Sequence, residues 1–208
     1  DVVIFAPDFE QSAMGHAITI KRPLTYHRVK FLKDFESYRV NGTPADCVAM
    51  GLYHVGKVDL VLSGINVGSN LGSDIWHSGT VAAAKQGVIL GVQSIAFSQV
   101  INGEEPSYQK QKPYIADVIK MLTTGDQPRL VNVNLPEEPI GMCWTHQSVR
   151  HYNGKVVEGH DPNGRKHYWF AATPLTNPDE HSDRWAIDHG YVSLTPLRLS
   201  LTDDEWLA

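Results

Sequence analysis

One stretch of the sequence decides the fold: residues 60–90, LVLSGINVGSNLGSDIWHSGTVAAAKQGVIL. It begins with an apolar run, Leu60–Ser63, whose lack of polar alternation predicts a strand covered on both faces. A loop rich in glycine and asparagine, Ser63–Asp74, follows and leads towards an alanine-rich segment that predicts a helix at Gly79–Leu90. Strand, loop and helix in this order predict one unit of a parallel sheet.

The same alternation continues on both sides of this stretch. Three more apolar runs predict buried strands at Val2–Ala6, Gln93–Ser98 and Leu130–Leu135. Helices are predicted at Pro44–Tyr53 and Tyr108–Leu122. Since strands alternate with helices, we expect an α/β fold with a doubly wound, mostly parallel, Rossmann-like sheet.

The character of the sequence changes after about Gly141. Three short segments beyond that point are aromatic and β-prone: Cys143–Arg150, Lys155–Glu158 and Lys166–Phe170. Asn-Gly turn sequences separate them, so we expect a C-terminal antiparallel β-hairpin extension. A last core strand is predicted at Tyr191–Thr195. The chain is thus divided into an α/β core, residues 1–140, and an extension, residues 141–208.

The segment from about Cys143 to Phe170 carries too many aromatic residues for a free loop. An isolated two-stranded arm is only marginally stable in water, so we expect this segment to leave the main body and join subunits. The alternative is that the hairpins fold back over the sheet of their own chain.

Composition narrows the class of protein. Hydrophobic residues make up 42% and charged residues 20%, as in ordinary soluble proteins. Acidic residues (23) outnumber basic ones (18), and the apolar runs are short, so we expect neither a nucleic-acid duplex nor a membrane as partner. The only cysteines, Cys47 and Cys143, lie in no paired motif. One bridge between them is the alternative, but we expect reduced thiols in a cytoplasmic protein.

Small polar residues follow the predicted strands at their carboxyl ends, where ligands bind to open α/β sheets. Ser12 follows the first strand, and Asn66 and Asn70 follow the second. The loop between residues 63 and 74 fits neither the Walker pattern nor the dinucleotide fingerprint. Its glycines allow close backbone approach to a ligand, although a long turn without a ligand explains the same residues.

The start of the alanine-rich helix is a candidate phosphate site. Ser78 or Thr80, on either side of Gly79, is a good N-cap, and free N–H groups at a helix start bind phosphate. A cap without a ligand is the commoner case, but a glycine-rich loop leading directly into the helix favours phosphate.

Two other features are better explained by structure than by chemistry. Thr43, Pro44 and Asp46 supply the N-cap, first and third positions of a complete helix start, which needs no catalytic role. The ten histidines form no zinc pattern, and only His16 and His77 lie near the polar loops, where they would contact a substrate.

At these motifs the sequence resembles the survival protein SurE family, metal-dependent phosphatases that act on nucleoside monophosphates. The similar stretches cover nearly the whole chain in the same order: Ala6–Asp8 with Gln11 and Ser12, Gly42–Cys47, Ser63–Asn66 with Asn70–Gly72, Ser78–Val81, Asp161–Arg165 with Tyr168 and Trp169, and Gly190–Leu197. The resemblance implies a 5'-nucleotidase that binds one divalent ion per subunit, Mg²⁺ or Mn²⁺, and forms homodimers or homotetramers through its arms.

The family holds its ion with two adjacent aspartates, a serine and an asparagine. The serine corresponds to Ser12 and the asparagine to Asn66, while the phosphate-binding positions correspond to Asn70, Ser78, Gly79 and Thr80. The aspartates belong to an Asn-Asp-Asp-Gly motif that this sequence lacks, so the catalytic residues stay unassigned. Two neutral oxygens alone are a poor site for a hard dication.

Two explanations fit the lack of this motif. We favour a fragment that begins at the second strand of the fold, with the N-terminal segment and its aspartates missing, because the sequence starts directly with a predicted buried strand, Val2–Ala6. The other explanation is a natural variant that uses Asp8, Asp46 or Asp74.

The resemblance implies metal-assisted hydrolysis without a covalent nucleophile. N–H groups and hydroxyls at residues 78–80, with the amide of Asn70, would stabilise charge on the transferred phosphoryl group. Two alternatives remain: a broad-specificity acid phosphatase or exopolyphosphatase, and a nucleotide-binding module without catalysis.

Overall fold

The computed structural model describes residues 1–101, 107–149, 152–174 and 178–207. In chain order its elements are β1 (Val3–Pro7), β2 (Tyr26–Val29), β3 (Glu36–Val40), α1 (Pro44–Val55), β4 (Val61–Val67), a 3-10 helix (Gly72–Trp76), α2 (Gly79–Ile89), β5 (Ser94–Gln99), α3 (Lys112–Leu122), β6 (Leu130–Leu135), β7 (Gly141–Trp144), β8 (Tyr152–His160), β9 (Lys166–Pro174), α4 (Asp183–Asp188), β10 (Tyr191–Pro196) and α5 (Asp204–Leu207).

The strands form three sheets. The central sheet has the order β4-β5-β6-β10-β7, in which β4, β5 and β6 are parallel and β10 runs antiparallel to β6. A smaller sheet has the order β1-β3-β2, and β8 and β9 form an antiparallel hairpin. The predicted α/β fold, with a mostly parallel central sheet and a C-terminal hairpin, is confirmed.

Helices cover the central sheet on both faces. One layer of the core joins β5, β6 and β10 to α3 through residues such as Ile95, Val133 and Leu122. The opposite layer joins the sheet to α2 through Val81 and Ala84. Because both faces are covered, every residue of β5 and β6 is buried, which explains why their sequences lack polar alternation.

The structure corrects the sequence predictions in the strands outside the central unit. β1 pairs with β3 in the smaller sheet rather than with the central sheet, and β2 and β3 were not predicted. β7 pairs in parallel with β10, so Cys143 and Trp144 belong to the central sheet and not to the hairpin arm. Arg150, the predicted end of that segment, lies outside the described residues, and the division of the chain at residue 141 stays a prediction.

β1 and β4 each leave one edge without a strand partner among the described residues. Between them lies a groove of about 140 Å³ lined by apolar side chains of both strands, among them Val3, Phe5 and Leu62. No helix in the described part of the chain is long and apolar enough to cross a bilayer.

The start of α1 forms the capping box that the sequence predicts. The hydroxyl of Thr43 accepts from the N–H of Asp46 (3.2 Å), and the Asp46 carboxylate accepts from the N–H groups of Thr43 (2.9 Å) and Thr19 (3.0 Å). Burial alone would raise the pKa of Asp46, but hydrogen bonds from Thr19 and Thr43 outweigh it and lower the pKa. The carboxylate therefore holds the chain before β2 against α1.

Replacing Asp46 with asparagine should destabilise the protein in a pH-dependent way. Asp46→Asn turns one acceptor oxygen into an NH₂ group, which should lower the free energy of unfolding by about 1–3 kcal/mol near neutral pH. Because the folded pKa lies below the ordinary value of 3.8, this stabilisation is full above 3.8 and is lost as the pH falls through the folded pKa. Urea unfolding of the wild type and of Asp46→Asn at about pH 7 and about pH 3 measures the difference in their free energy of unfolding.

The exposed loop residue Asp126 provides the control. Asp126→Asn should leave the free energy of unfolding almost unchanged at both pH values. A difference between wild type and Asp46→Asn that did not shrink in acid would contradict the assigned role of the carboxylate.

Candidate functional site

A cavity of about 910 Å³, bounded by described residues, lies at the carboxyl ends of β1 and β4. The loops after both strands, the start of α2 and one residue of β9 form its wall. All six residues to which the resemblance assigned metal or phosphate binding line it: Ser12, Asn66, Asn70, Ser78, Gly79 and Thr80. The structure thus brings together residues from distant parts of the chain, while the role of each stays a prediction.

A bulge at the end of β4 sets the position of Asn66. Gly64 has a φ of +120°, and a Cβ there would lie 2.3 Å from the carbonyl oxygen of Phe97, so only glycine fits. The pairing of β4 with β5 is irregular between Ser63 and Asn66. Beyond it, Asn66 Nδ2 donates to the carbonyl of Gly68 (2.9 Å), and Asn66 Oδ1 accepts from the hydroxyl of Thr80 (3.3 Å). The amide oxygen therefore faces the start of α2.

Buried side chains at the ends of β5 and β6 hold Asn70. Its Nδ2 donates to the hydroxyl of Ser98 (2.7 Å), and its N–H donates to Asn134 Oδ1 (2.8 Å). Its carbonyl accepts from Nδ2 of Asn132 (2.8 Å) and of Asn134 (3.1 Å). Ser98, Asn132 and Asn134 are fully buried, so these bonds fix both the backbone and the side chain of Asn70 at the cavity wall.

A second set of hydrogen bonds holds the opposite end of the same loop. The fully buried Asp183, at the start of α4, accepts from the N–H of Gly72 (2.7 Å) and from the N–H and hydroxyl of Ser148 (3.0 and 2.7 Å). Gln147 Nε2 donates to the carbonyl of Gly72 (2.9 Å). The sequence did not predict this support, because the partners lie more than seventy residues from the loop.

The start of α2 presents free donors to the cavity. The hydroxyl of Ser78 accepts from the N–H of Val81 (3.1 Å), which makes Ser78 the N-cap. The preceding N–H groups, of Gly79 and Thr80, have no acceptor within the helix and are available to an anion. A Cβ on Gly79 would lie 3.0 Å from Cγ of Pro44 and 3.3 Å from the carbonyl oxygen of Gln11, so glycine also permits close packing.

Four carboxylates near the cavity are candidate metal ligands: Asp8, Glu10, Asp46 and Asp74. Asp46 is engaged in the capping box, and Asp8 pairs with Arg39 (3.4 Å); neither lines the cavity. Asp74 and Glu10 do line it, and Glu10 accepts from the hydroxyl of Ser12 (2.7 Å). Of the three aspartates considered as alternative ligands, only Asp74 therefore lies at the site.

The donor set suits a hard cation in kind, since hydroxyl, amide and carboxylate oxygens are present. Among the described residues, however, no group of three or more His, Cys, Asp or Glu side chains converges as a metal site. Ser12 and Asn66 therefore need carboxylate partners to hold a divalent ion.

Of the two histidines considered as substrate contacts, the structure brings only one to the cavity. His77 lines it, whereas Nε2 of His16 lies 2.8 Å from Oε1 of Gln86, and His16 is not part of the wall. Two aromatic residues that the sequence did not single out, Phe9 and Phe170, also line the cavity. Phe9 lies three residues after the first predicted strand, which was the one available signal; nothing in the sequence connects Phe170 to this site.

Donors at a helix start and ligand sites at the carboxyl edge of a doubly wound sheet are features that proteins use to bind phosphate groups. The family model "Survival protein SurE" matches residues 1–154. The chain is 44% identical to "5'-nucleotidase SurE 1" of Thermus thermophilus, over 97% of this chain and 82% of the relative. It is 45% identical to "5'-nucleotidase SurE" of Deinococcus radiodurans, over 97% of this chain and 78% of the relative.

A solved structure agrees with these relatives. The crystal structure of the SurE protein from Aquifex aeolicus has a TM-score of 0.83 and 41% identity, covering 98% of this chain and 84% of that one. The chain belongs to the SurE family, which confirms the resemblance found in the sequence.

Removing one of the amides that hold Asn70 should lower the free energy of unfolding by more than a substitution at the surface does. Asn134→Ala leaves the N–H of Asn70 buried without its acceptor, which should lower the free energy of unfolding by about 1–3 kcal/mol. Asn163→Ala, at an exposed asparagine in the hairpin turn, serves as the matched control. Urea unfolding of both variants decides the point, and equal losses would show that Asn134 does not support the loop.

Proposed function

We propose that this protein is a metal-dependent 5'-nucleotidase, which hydrolyses a nucleoside 5'-monophosphate to the nucleoside and inorganic phosphate. The observation that carries the proposal is the single cavity in which Asn66, Asn70 and the free N–H groups of α2 meet. Membership of a family whose similar members are named 5'-nucleotidase supports the reaction and the substrate class. The volume of about 910 Å³ leaves room for a nucleoside beside the phosphate.

The phosphate group is bound at the start of α2. The N–H groups of Gly79 and Thr80 donate to its oxygens, and the positive end of the helix dipole favours its charge. The hydroxyl of Thr80, which donates to Asn66 Oδ1 in the structure, turns to the phosphate when the phosphate binds. Asn70 contributes its amide from the neighbouring wall, and its buried partners prevent it from turning away. Because these donors are fixed before the substrate arrives, they stabilise the negative charge that grows on the phosphoryl oxygens during hydrolysis.

We propose that Ser12 and Asn66 are ligands of one divalent ion, Mg²⁺ or Mn²⁺, per subunit. When bound, such an ion neutralises phosphate oxygens and activates a water for in-line attack. The other ligands must be carboxylates, since neutral oxygens alone bind hard dications weakly. Glu10 and Asp74 are the carboxylates that line the cavity among the described residues.

A binding module without catalysis is the second candidate. It is favoured by the lack of a cluster of acidic or imidazole ligands among the residues that the structure describes. Such a protein would bind nucleoside monophosphates at α2 but release no phosphate.

The protein expressed from its complete gene should release phosphate from adenosine 5'-monophosphate only with Mg²⁺ or Mn²⁺, and excess EDTA should abolish the reaction. Thr80→Val keeps the shape of the side chain but removes its hydroxyl, and should lower kcat/KM by about 100-fold. Thr80→Ser, which keeps the hydroxyl, should retain most of the activity. The steady-state rate of phosphate release measures the metal requirement of the wild type and the activity of both variants.

Three results would change the proposal. Tight binding of the nucleotide without turnover would favour the binding module. Faster hydrolysis of polyphosphate or of unrelated phosphomonoesters would favour a broad-specificity phosphatase. Equal activity of Thr80→Val and Thr80→Ser would return Thr80 to a purely structural role. A double substitution of Thr123 and Thr124 by alanine, at the exposed end of α3, controls for hydroxyl removal in general.

We propose that subunits associate through the β8–β9 hairpin into a homodimer or homotetramer. Neither strand pairs with the other two sheets. Val157 and Trp169 face each other across the hairpin, and both are exposed. A hairpin of this kind is marginally stable alone, so burial of its apolar face against a second copy would stabilise it.

We also propose a cytoplasmic location. Cys47 and Cys143 are both free, and burial raises the pKa of the Cys47 thiol to about 12. Thiols that stay protonated and unpaired are typical of a reducing compartment.

Substituting Val157 and Trp169 together by serine should convert the oligomer into monomers, because the change removes the apolar side chains that face one another. Size-exclusion chromatography with light scattering at micromolar concentration measures the mass. Tyr53→Ser, at a residue of α1 that is 81% exposed, is the control and should keep the wild-type mass. A wild-type protein that is already monomeric would rule out the hairpin as an interface.

A further inference from the structure

Two exposed aromatic rings lie at the cavity that receives the phosphate. Phe9, in the loop after β1, is 80% exposed, and Phe170, on β9, is 70% exposed, yet both line this cavity. They come from segments more than 150 residues apart in the sequence. Single exposed apolar residues are ordinary, but two exposed phenylalanines on the wall of one cavity indicate a binding surface.

The position of Phe170 depends on a glycine across the hairpin. Phe170 pairs with Val156, and its ring extends over Gly154 on the same face of β8. A Cβ on Gly154 would lie 2.5 Å from Cζ of Phe170, so a side chain there would displace the ring. Tyr168 lies two residues earlier on the same face but does not line the cavity. The folded hairpin therefore places one ring of this face, and not its neighbour, at the cavity.

The part of the cavity that a bound phosphate leaves free is large enough for a flat apolar group. A phosphate held at Gly79 and Thr80 occupies only part of about 910 Å³, and the two phenylalanines belong to the rest of the wall. A nucleobase has flat faces that stack on aromatic side chains, whatever the identity of the base. The 5'-phosphate of a nucleotide is separated from its base by the sugar, so one ligand can reach both parts of the cavity.

We propose that Phe9 and Phe170 form the nucleobase subsite, in which the base of the substrate stacks while its phosphate is bound at the start of α2. This inference rests on the proposed 5'-nucleotidase function and names the residues that distinguish a nucleotide from other phosphomonoesters. Recognition through ring faces selects for the presence of a base and only weakly for its identity.

The test compares two substrates of the protein expressed from its complete gene: adenosine 5'-monophosphate and ribose 5-phosphate, which lacks the base. Phe9→Ala and Phe170→Ala should each lower kcat/KM for the nucleotide by about 5- to 100-fold, the effect expected for loss of one stacking ring. Hydrolysis of ribose 5-phosphate should keep its wild-type kcat/KM. Both residues are largely exposed, so the variants should fold normally.

Two further substitutions separate stacking from general apolar contact. Phe170→Tyr keeps the ring and should keep the preference for the nucleotide, whereas Phe170→Leu should lose it. Tyr168→Ala is the matched control on the same strand and face, and should leave the preference unchanged.

The glycines of β8 give an independent test that leaves both phenylalanines in place. Gly154→Ala should push the ring of Phe170 out of position and lower the preference for the nucleotide. Gly159→Ala is the control: its Cβ would lie 2.6 Å from Nε2 of His167, so it displaces a ring that does not line the cavity.

The possible outcomes are distinct. If the wild-type protein hydrolyses neither substrate, both the proposed function and the nucleobase subsite are wrong. If it hydrolyses the nucleotide but Phe9→Ala and Phe170→Ala do not change the preference, the function stands and the subsite is wrong. An equal loss for both substrates would also overturn the subsite, because the rings would then support the phosphate site or a subunit contact.

Discussion

The site depends on the hydrogen bonds between Asn70 and the buried ends of β5 and β6. A loop of small polar residues has no core of its own, so its position must be imposed by neighbouring elements. Ser98, Asn132 and Asn134 impose it by occupying the N–H, the carbonyl and the side-chain amide of Asn70 together. Leaving any of these groups unpaired in a buried position would be costly, so the loop has one favoured position.

The rest of the cavity follows from this anchor through close packing. Gly64 lets β4 bulge against β5, which directs Asn66 towards α2, and Gly79 lets the start of α2 approach α1 and the loop after β1. Asp183 completes the support from the opposite side by binding the N–H of Gly72. The loops after β1 and β4 and the start of α2 therefore meet at the carboxyl ends of these strands. Most residues that line the cavity are uncharged, and Glu10 and Asp74 are the carboxylates among them.

The sequence predicted those parts of the fold whose signals are local. The strands β5 and β6 are buried on both faces, and the helix start at Thr43 satisfies its own N–H groups, so both could be recognised from neighbouring residues. β3 and β7 could not, because β3 mixes polar and apolar residues and β7 is fixed only by its pairing with β10.

The same distinction holds at the site. Polar residues at strand ends marked Ser12, Asn66 and Asn70, since the carboxyl edge of a parallel sheet is a predictable place. Phe170 and Asp183 reach the site only through tertiary packing. Nothing in the sequence near either residue indicates which part of the folded protein its side chain contacts.

The most direct test of this account is a crystal structure of the protein expressed from its complete gene, grown with Mn²⁺ and vanadate, a phosphate analogue. The account predicts anomalous density for Mn²⁺ within bonding distance of Ser12 Oγ and Asn66 Oδ1. It also predicts vanadate bound to the N–H groups of Gly79 and Thr80 in the same cavity. Vanadate at another site, or Mn²⁺ bound without Ser12 and Asn66, would contradict it.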